Sequence, residues 1–198
     1  MTTTKKIISH IQTVSDFCKK SQQRAMLVVS GEKDWCLRLI KELAFTDYLA
    51  VSHRPLFSHD TQSSDKLSLV LGKEYTGIIW DGFSGLSPNG LGIASGLLRR
   101  GGLFLLLLPP LDFLRANPDR DYARMCSENL NIQDFNTFFL QRLVDKLENA
   151  KDIFIFQENE DPSFNLVRRP QEANQHPVQL PTSDQCAAID AIKKVAFG

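Results

Sequence analysis

The chain has 198 residues, 42% of them hydrophobic and 23% charged, a balance that suits one ordinary domain with a short appendage and excludes disorder throughout. Twenty-three basic residues offset twenty-three acidic ones, so no global field gathers a polyanion, and any nucleic-acid contact has to come from a local patch. Four widely spaced cysteines, Cys18, Cys36, Cys126 and Cys186, form no Cys-x-x-Cys pair, which argues against a zinc site or a disulfide framework and predicts reduced, mostly buried thiols.

Ile7, Ile8, Ile11, Val14, Phe17 and Cys18 recur at spacings of three and four, which predicts a first helix with one apolar stripe and a lysine-bearing opposite face. Arg24 to Ser30 is a short continuous apolar run ending in Gly31, as expected for a strand covered on both faces. Ser30 is the candidate N-cap of the next helix, whose stripe is Trp35, Leu39, Ile40 and Leu43. The pattern repeats with a strand over Tyr48 to Ser52, a short capped helix over Ser64 to Leu71 and a buried strand over Gly77 to Trp80 that ends at Asp81-Gly82. Leu91 to Arg100 reads as a helix stopped by Gly101-Gly102, with Arg99 and Arg100 at its favourable dipole end. Leu103 to Leu108 is the next strand, terminated by Pro109-Pro110, and Asn117 to Asn131 a long polar loop. Gln133 to Asn149 is helical by spacing, and Ile153 to Phe156 is a fifth strand. Trp35, Trp80 and the phenylalanines fall on periodic positions and are expected in the core.

Alternating strands and helices of these lengths predict an α/β fold: a three-layer Rossmann-like sandwich with a mostly parallel sheet of about five strands and helices on both faces. Residues 1–157 form that domain, 158–181 a polar linker, and 182–198 the start of a further module, whose helix carries Cys186, Ile189, Ile192 and Val195 on one stripe. The apolar positions after Lys5 and Lys6 are interrupted by Ser9, His10, Gln12 and Thr13, so no signal-peptide core forms. Leu103 to Leu108 is too short to cross a bilayer as a helix, and a cytoplasmic protein with no membrane partner is expected.

Several groups are candidates for chemistry. The turn Ser30-Gly31-Glu32-Lys33-Asp34 sits where a dinucleotide fold holds pyrophosphate, but it has one glycine and two carboxylates, and a plain capped turn is the alternative. His53 and Arg54 follow a strand at the carboxyl edge, where open α/β sheets bind ligands; as an exposed pair they equally serve to solvate a loop. Asp81 is either a hydroxyl-binding carboxylate or an Asx-turn residue closing its own loop. No nucleophile elbow, catalytic triad or metal-ligand spacing stands out, so no catalytic or metal-binding residue is assigned. The first segment is locally basic. Lys5, Lys6, Lys19, Lys20 and Arg24 face only Asp16 among acids, and such a row either tracks an RNA backbone or is a solvated helix face. Arg99, Arg100, Arg115, Arg120, Arg124, Arg168 and Arg169 are weaker candidates of the same kind.

Three strings carry a family likeness: Leu27 to Cys36 (Leu-Val-Val-Ser-Gly-Glu-Lys-Asp-Trp-Cys), Leu71 to Tyr75 followed by Leu97 to Pro109, and Pro181 to Ile189 (Pro-Thr-Ser-Asp-Gln-Cys-Ala-Ala-Ile). Together they resemble the N-terminal region of the bacterial tRNA(Met) cytidine acetyltransferases, over essentially the whole chain. In that family the region precedes a helicase-like ATPase module and a GNAT-type acetyltransferase module, which acetylate the exocyclic amine of the wobble cytidine of elongator tRNA(Met) with acetyl-CoA and ATP. The resemblance implies an accessory domain for tRNA and inter-domain docking, itself not catalytic. ATP, magnesium and acetyl-CoA would be cofactors of the parent enzyme and none would bind this part alone. The string around Gln185 resembles the glutamine motif of helicase-type ATPases. This implies that the Gln185 amide, a donor and an acceptor together, reads the adenine of ATP once the following module completes the site. A stand-alone nucleotide- or cofactor-binding protein and a purely structural scaffold are the alternatives.

Overall fold

A computed structural model of the chain describes residues 3–160 apart from 44, 57–60, 128–129, 151 and 159, together with Ser183; of Arg124 it describes the backbone. The chain divides into two units, 1–163 and 164–198, and all the elements named below belong to the first.

Six strands form one sheet in the order β3-β2-β4-β5-β1-β6: β1 (Ala25–Ser30), β2 (Tyr48–Val51), β3 (Thr61–Gln62), β4 (Tyr75–Asp81), β5 (Leu98–Leu108) and β6 (Phe154–Gln157). Every neighbouring pair is parallel. The central strands read as unbroken apolar runs because both of their faces are covered. Val28, Ile78, Trp80, Phe104 and Leu106 point to one side, where they pack on the 3-10 helix Ser64–Val70, α3 (Pro88–Leu97), α4 (Leu111–Ala116) and α5 (Phe138–Asn149). Their alternates Leu27, Val29, Leu105 and Leu107 are equally buried. They face α1 (Thr3–Ser21), which lies along β5, and α2 (Lys33–Leu43), which packs beside α1.

The order of strands locates the crevice. From β1 the chain crosses to β2 on one side of the sheet, and from β5 it crosses to β6 on the other, so the connections diverge between the carboxyl ends of β1 and β5. In open α/β sheets that divergence is the place where ligands bind.

The three-layer parallel architecture is as the periodicity predicts, with several differences. β3 is a sixth strand, two residues long, which leaves no pattern to read. The segment Ser64–Val70 is a 3-10 helix whose N-cap, Ser63, makes no side-chain cap bond. Arg99 and Arg100 do not end a helix: α3 stops at Leu97, β5 begins at Leu98, and both arginines belong to the strand. The stretch after Pro109-Pro110 starts with α4, the polar loop contains a 3-10 turn at Arg120–Met125, and the helix expected from Gln133 begins at Phe138, preceded by a 3-10 turn at Ile132–Asp134. Trp35 and Trp80 are buried as expected, but Phe17, Phe113 and Phe138 are exposed. Cys18 and Cys36 are buried and Cys126 is half-buried, while Cys186, most of the expected linker and the final helix lie outside the described residues.

Candidate functional site

At the carboxyl edge the crevice is filled by the chain itself. The Ser30 hydroxyl donates to the Pro109 carbonyl at 3.0 Å, and the Gly31 amide donates to Leu108 at 3.1 Å. Ser30 therefore ties β1 to β5 and does not cap α2, contrary to the sequence expectation. The cap comes from 126 residues downstream: the Glu32 amide donates to the Glu158 carboxylate at 2.7 Å, and the Glu158 amide donates back to the Ser30 carbonyl at 2.9 Å. Gly31 permits this approach, since a Cβ there would lie 2.7 Å from the Glu158 Cβ. A carboxylate thus occupies the positive end of the α2 dipole, the place where a dinucleotide fold takes pyrophosphate. With Glu32 and Asp34 alongside, the arrangement does not fit a nucleotide's phosphates.

Asp81, 1% exposed at the end of β4, collects donors from three elements. Its Oδ2 accepts from the Ser52 hydroxyl at 2.8 Å and from the Lys33 ammonium at 3.4 Å, and its Oδ1 accepts from the Phe83 amide at 3.1 Å. The last contact is the expected Asx turn; the other two make Asp81 a clamp between β2, α2 and β4. Lys33 also sits 5.7 Å from the centroid of the Phe83 ring, a cation–π distance. Ser52 has a second partner in the Arg54 amide at 3.2 Å, so the hydroxyl is held from both sides.

His53 and Arg54 are both exposed, as the loop reading has them. His53 borders a shallow cleft of about 450 Å³ shared with Ser64, Asp65, Ser87, Asn89 and Asp121. A hydrogen bond from Ser63 holds the Asp65 carboxyl below its ordinary range, with smaller contributions from the charges of His53 and Lys66. Behind the cleft Asp119 accepts from the amides of Leu86 and Asp121, each at 3.0 Å. Burial pushes the Asp119 carboxyl up, an effect these two hydrogen bonds oppose. Among the described residues no group of three or more His, Cys, Asp or Glu side chains is arranged to hold a metal ion.

The basic candidates separate into two places. Lys5 and Lys6 stand near the start of α1, where Lys5 is exposed and Lys6 is half-buried with an interaction of its own. Lys19 and Lys20 close the same helix about 21 Å away at 1.5 Å per residue, and Arg24 follows just before β1. These three are exposed at the amino edge of the sheet, and so are Arg99 and Arg100 in β5. Of the weaker candidates, Arg115 donates to Asp145 at 2.8 Å and Glu148 at 2.7 Å, and Arg120 donates to the Phe83 carbonyl at 3.3 Å. The Arg124 side chain, Arg168, Arg169 and Gln185 lie outside the described residues.

A doubly wound parallel sheet with its crevice filled from within and five exposed cations at the opposite edge defines a Rossmann-like module. The chain belongs to the family described as "tRNA(Met) cytidine acetyltransferase TmcA, N-terminal", whose model matches residues 1–158. Among curated proteins it is similar to the tRNA(Met) cytidine acetyltransferase TmcA of Nitrosococcus halophilus, with 31% identity over 195 residues covering 91% of this chain and 26% of that protein. The enzyme of the same name from Photorhabdus asymbiotica is 29% identical over 82% of this chain and 23% of its own. That of Yersinia pestis is 27% identical over 88% and 25%. The chain spans about a quarter of the length of these relatives. The likeness carried by the first two strings is therefore a family relationship, and the third, Pro181 to Ile189, lies beyond the matched residues.

Proposed function

We propose that this chain is the tRNA-contacting and docking module of a tRNA(Met) cytidine acetyltransferase and holds no reaction centre of its own. The parent enzyme would make N4-acetylcytidine at the wobble position of elongator tRNA(Met) in the cytoplasm. It would use ATP, magnesium and acetyl-CoA on helicase-like ATPase and acetyltransferase modules outside the matched region, with Gln185 reading adenine at the entrance of the first. The observation that carries the reading is the filled crevice: the position at which this class of sheet engages a nucleotide is taken by the Glu158 carboxylate and closed by the Ser30–Pro109 bond. What the chain offers outward instead is the end of its locally basic first segment, Lys19, Lys20 and Arg24, suited to phosphate contact. Phe113 and Phe138, 52% and 72% exposed on α4 and α5, favour a docking role beside it.

Two measurements test the reading. Calorimetry of this chain with ATP, NAD and acetyl-CoA is expected to show no binding in the micromolar range; micromolar affinity for any of them restores a nucleotide-binding protein and overturns the assignment. Fluorescence anisotropy with labelled elongator tRNA(Met) is expected to show weak binding that falls steeply with salt. A flat titration at low salt removes the RNA role and leaves docking alone.

A further inference from the structure

The five basic residues named in the first segment do not form one surface, and the structure supplies two others. β4 and β5 are in register at Tyr75–Leu98 and again at Gly77–Leu103, so β5 carries four residues, Arg99 to Gly102, where β4 has Thr76 alone. This bulge pushes Arg99 and Arg100 out of the ladder, and both are exposed. Bulges re-aim side chains in this way, at the expense of local pairing. The bulge also lies under the end of α1. Gly101 has φ +76°, and a Cβ built on it would sit 3.3 Å from the Lys19 Cα and 3.4 Å from the Cys18 carbonyl. Arg24 enters the same edge, one residue before Ala25, which is in register with Leu103.

We infer that the amino edge of the sheet, where Lys19, Lys20 and Arg24 meet the Arg99–Arg100 bulge, is the surface that takes the RNA phosphate backbone. The inference rests on the RNA role proposed above and narrows it. Among the described residues none of these five side chains forms an ion pair, whereas Lys33 and Arg115 both do. The carboxylates of this edge stand to either side: Asp47 and Glu74 before β2 and β4, Asp152 before β6, with Asp16 a turn back on α1. Lys19 and Lys20 also offset the negative end of the α1 dipole; Arg24, Arg99 and Arg100 are outside any helix and have no such duty. Arginine's planar fork matches a phosphate at two oxygens, which suits the bulge pair to a nucleic-acid backbone. Lys5 and Lys6, at the far end of α1, fall outside this surface.

The test uses the whole chain, labelled elongator tRNA(Met) and a salt series. Charge reversals R99E/R100E and K19E/K20E are each expected to weaken binding roughly tenfold at low salt and to make the log–log salt slope shallower by about 1.5, while K5E/K6E stays within about twofold of the parent. R99A/R100A, milder for the fold, is expected to move the slope in the same direction, and circular dichroism checks that each variant is folded. If the unaltered chain binds no tRNA, the RNA role itself has failed. If it binds and the amino-edge variants bind equally well, or K5E/K6E loses as much, this inference alone is wrong. Loss of poly-glutamate binding with tRNA binding intact assigns the edge to an acidic protein and overturns it as well.

Discussion

Asp81 shows how a charge is kept inside this fold. Its carboxylate is buried, and the Ser52 hydroxyl, the Phe83 amide and the Lys33 ammonium replace the water it has lost. Asp81→Ala strands all three donors and is expected to lower the unfolding free energy by about 3 kcal/mol, read as a shift of the urea midpoint. Asp81→Asn keeps an oxygen for one donor and should lose less. Equal stability of Asp81→Ala and the parent chain would show that the clamp contributes nothing. The sequence makes the Asx turn legible, because its amide is two residues away, but Lys33 and Ser52 reach Asp81 across 48 and 29 residues and leave no local trace. The same is true of Ser30. Its position before a helix suggests a cap, and tertiary contact with Pro109 claims its hydroxyl first.

Among the elements, those with long apolar periods are legible and those set by a partner are not. α2 buries the whole stripe its spacing predicts, α1 buries Ile7, Ile11, Val14 and Cys18 but leaves Phe17 exposed, α5 buries Val144 and Leu147 but leaves Phe138 exposed, and β1 and the second half of β5 are covered on both faces as their composition requires. The first half of β5 is the instructive failure. Leu-Arg-Arg-Gly-Gly reads as a basic helix end with its stop signal, yet the glycines serve a bulge that fits beneath α1. Gly101 meets two demands at once, a left-handed backbone and a close approach to Lys19. Gly101→Ala is therefore expected to destabilise the chain by about 1–2 kcal/mol through backbone strain alone. For a chain of this size that is a fall of roughly 4 °C in Tm by calorimetry, and an unchanged Tm would show that the α1–β5 junction relaxes freely. At the opposite edge β3 and α4 are illegible because two and six residues are too short for a period to register.

The first unit as a whole is a sheet locked at its middle. Cys36 lies in that middle, with its thiol on the Val29 carbonyl at 3.7 Å; burial chiefly, helped by the Glu158 charge, pushes it up to about 12. At pH 8 it is almost wholly protonated and shielded, so iodoacetamide is expected to modify half-buried Cys126 before Cys36, and Cys36 only at the rate at which the sheet opens. Peptide mass spectrometry over a time course reads this; equal rates for the two cysteines in the folded chain would mean that the centre breathes locally. The locking contacts also bear on how the protein is made. Ser30 waits for Pro109, 79 residues later, and Glu32 for Glu158, 126 residues later. A ribosome therefore releases β1 before either of its neighbours exists, and the nascent chain carries an apolar strand unpaired until β5 has emerged and paired on one side alone until β6 follows. Shielding by a chaperone during that interval would matter more to the yield of this domain than any single contact in its finished form.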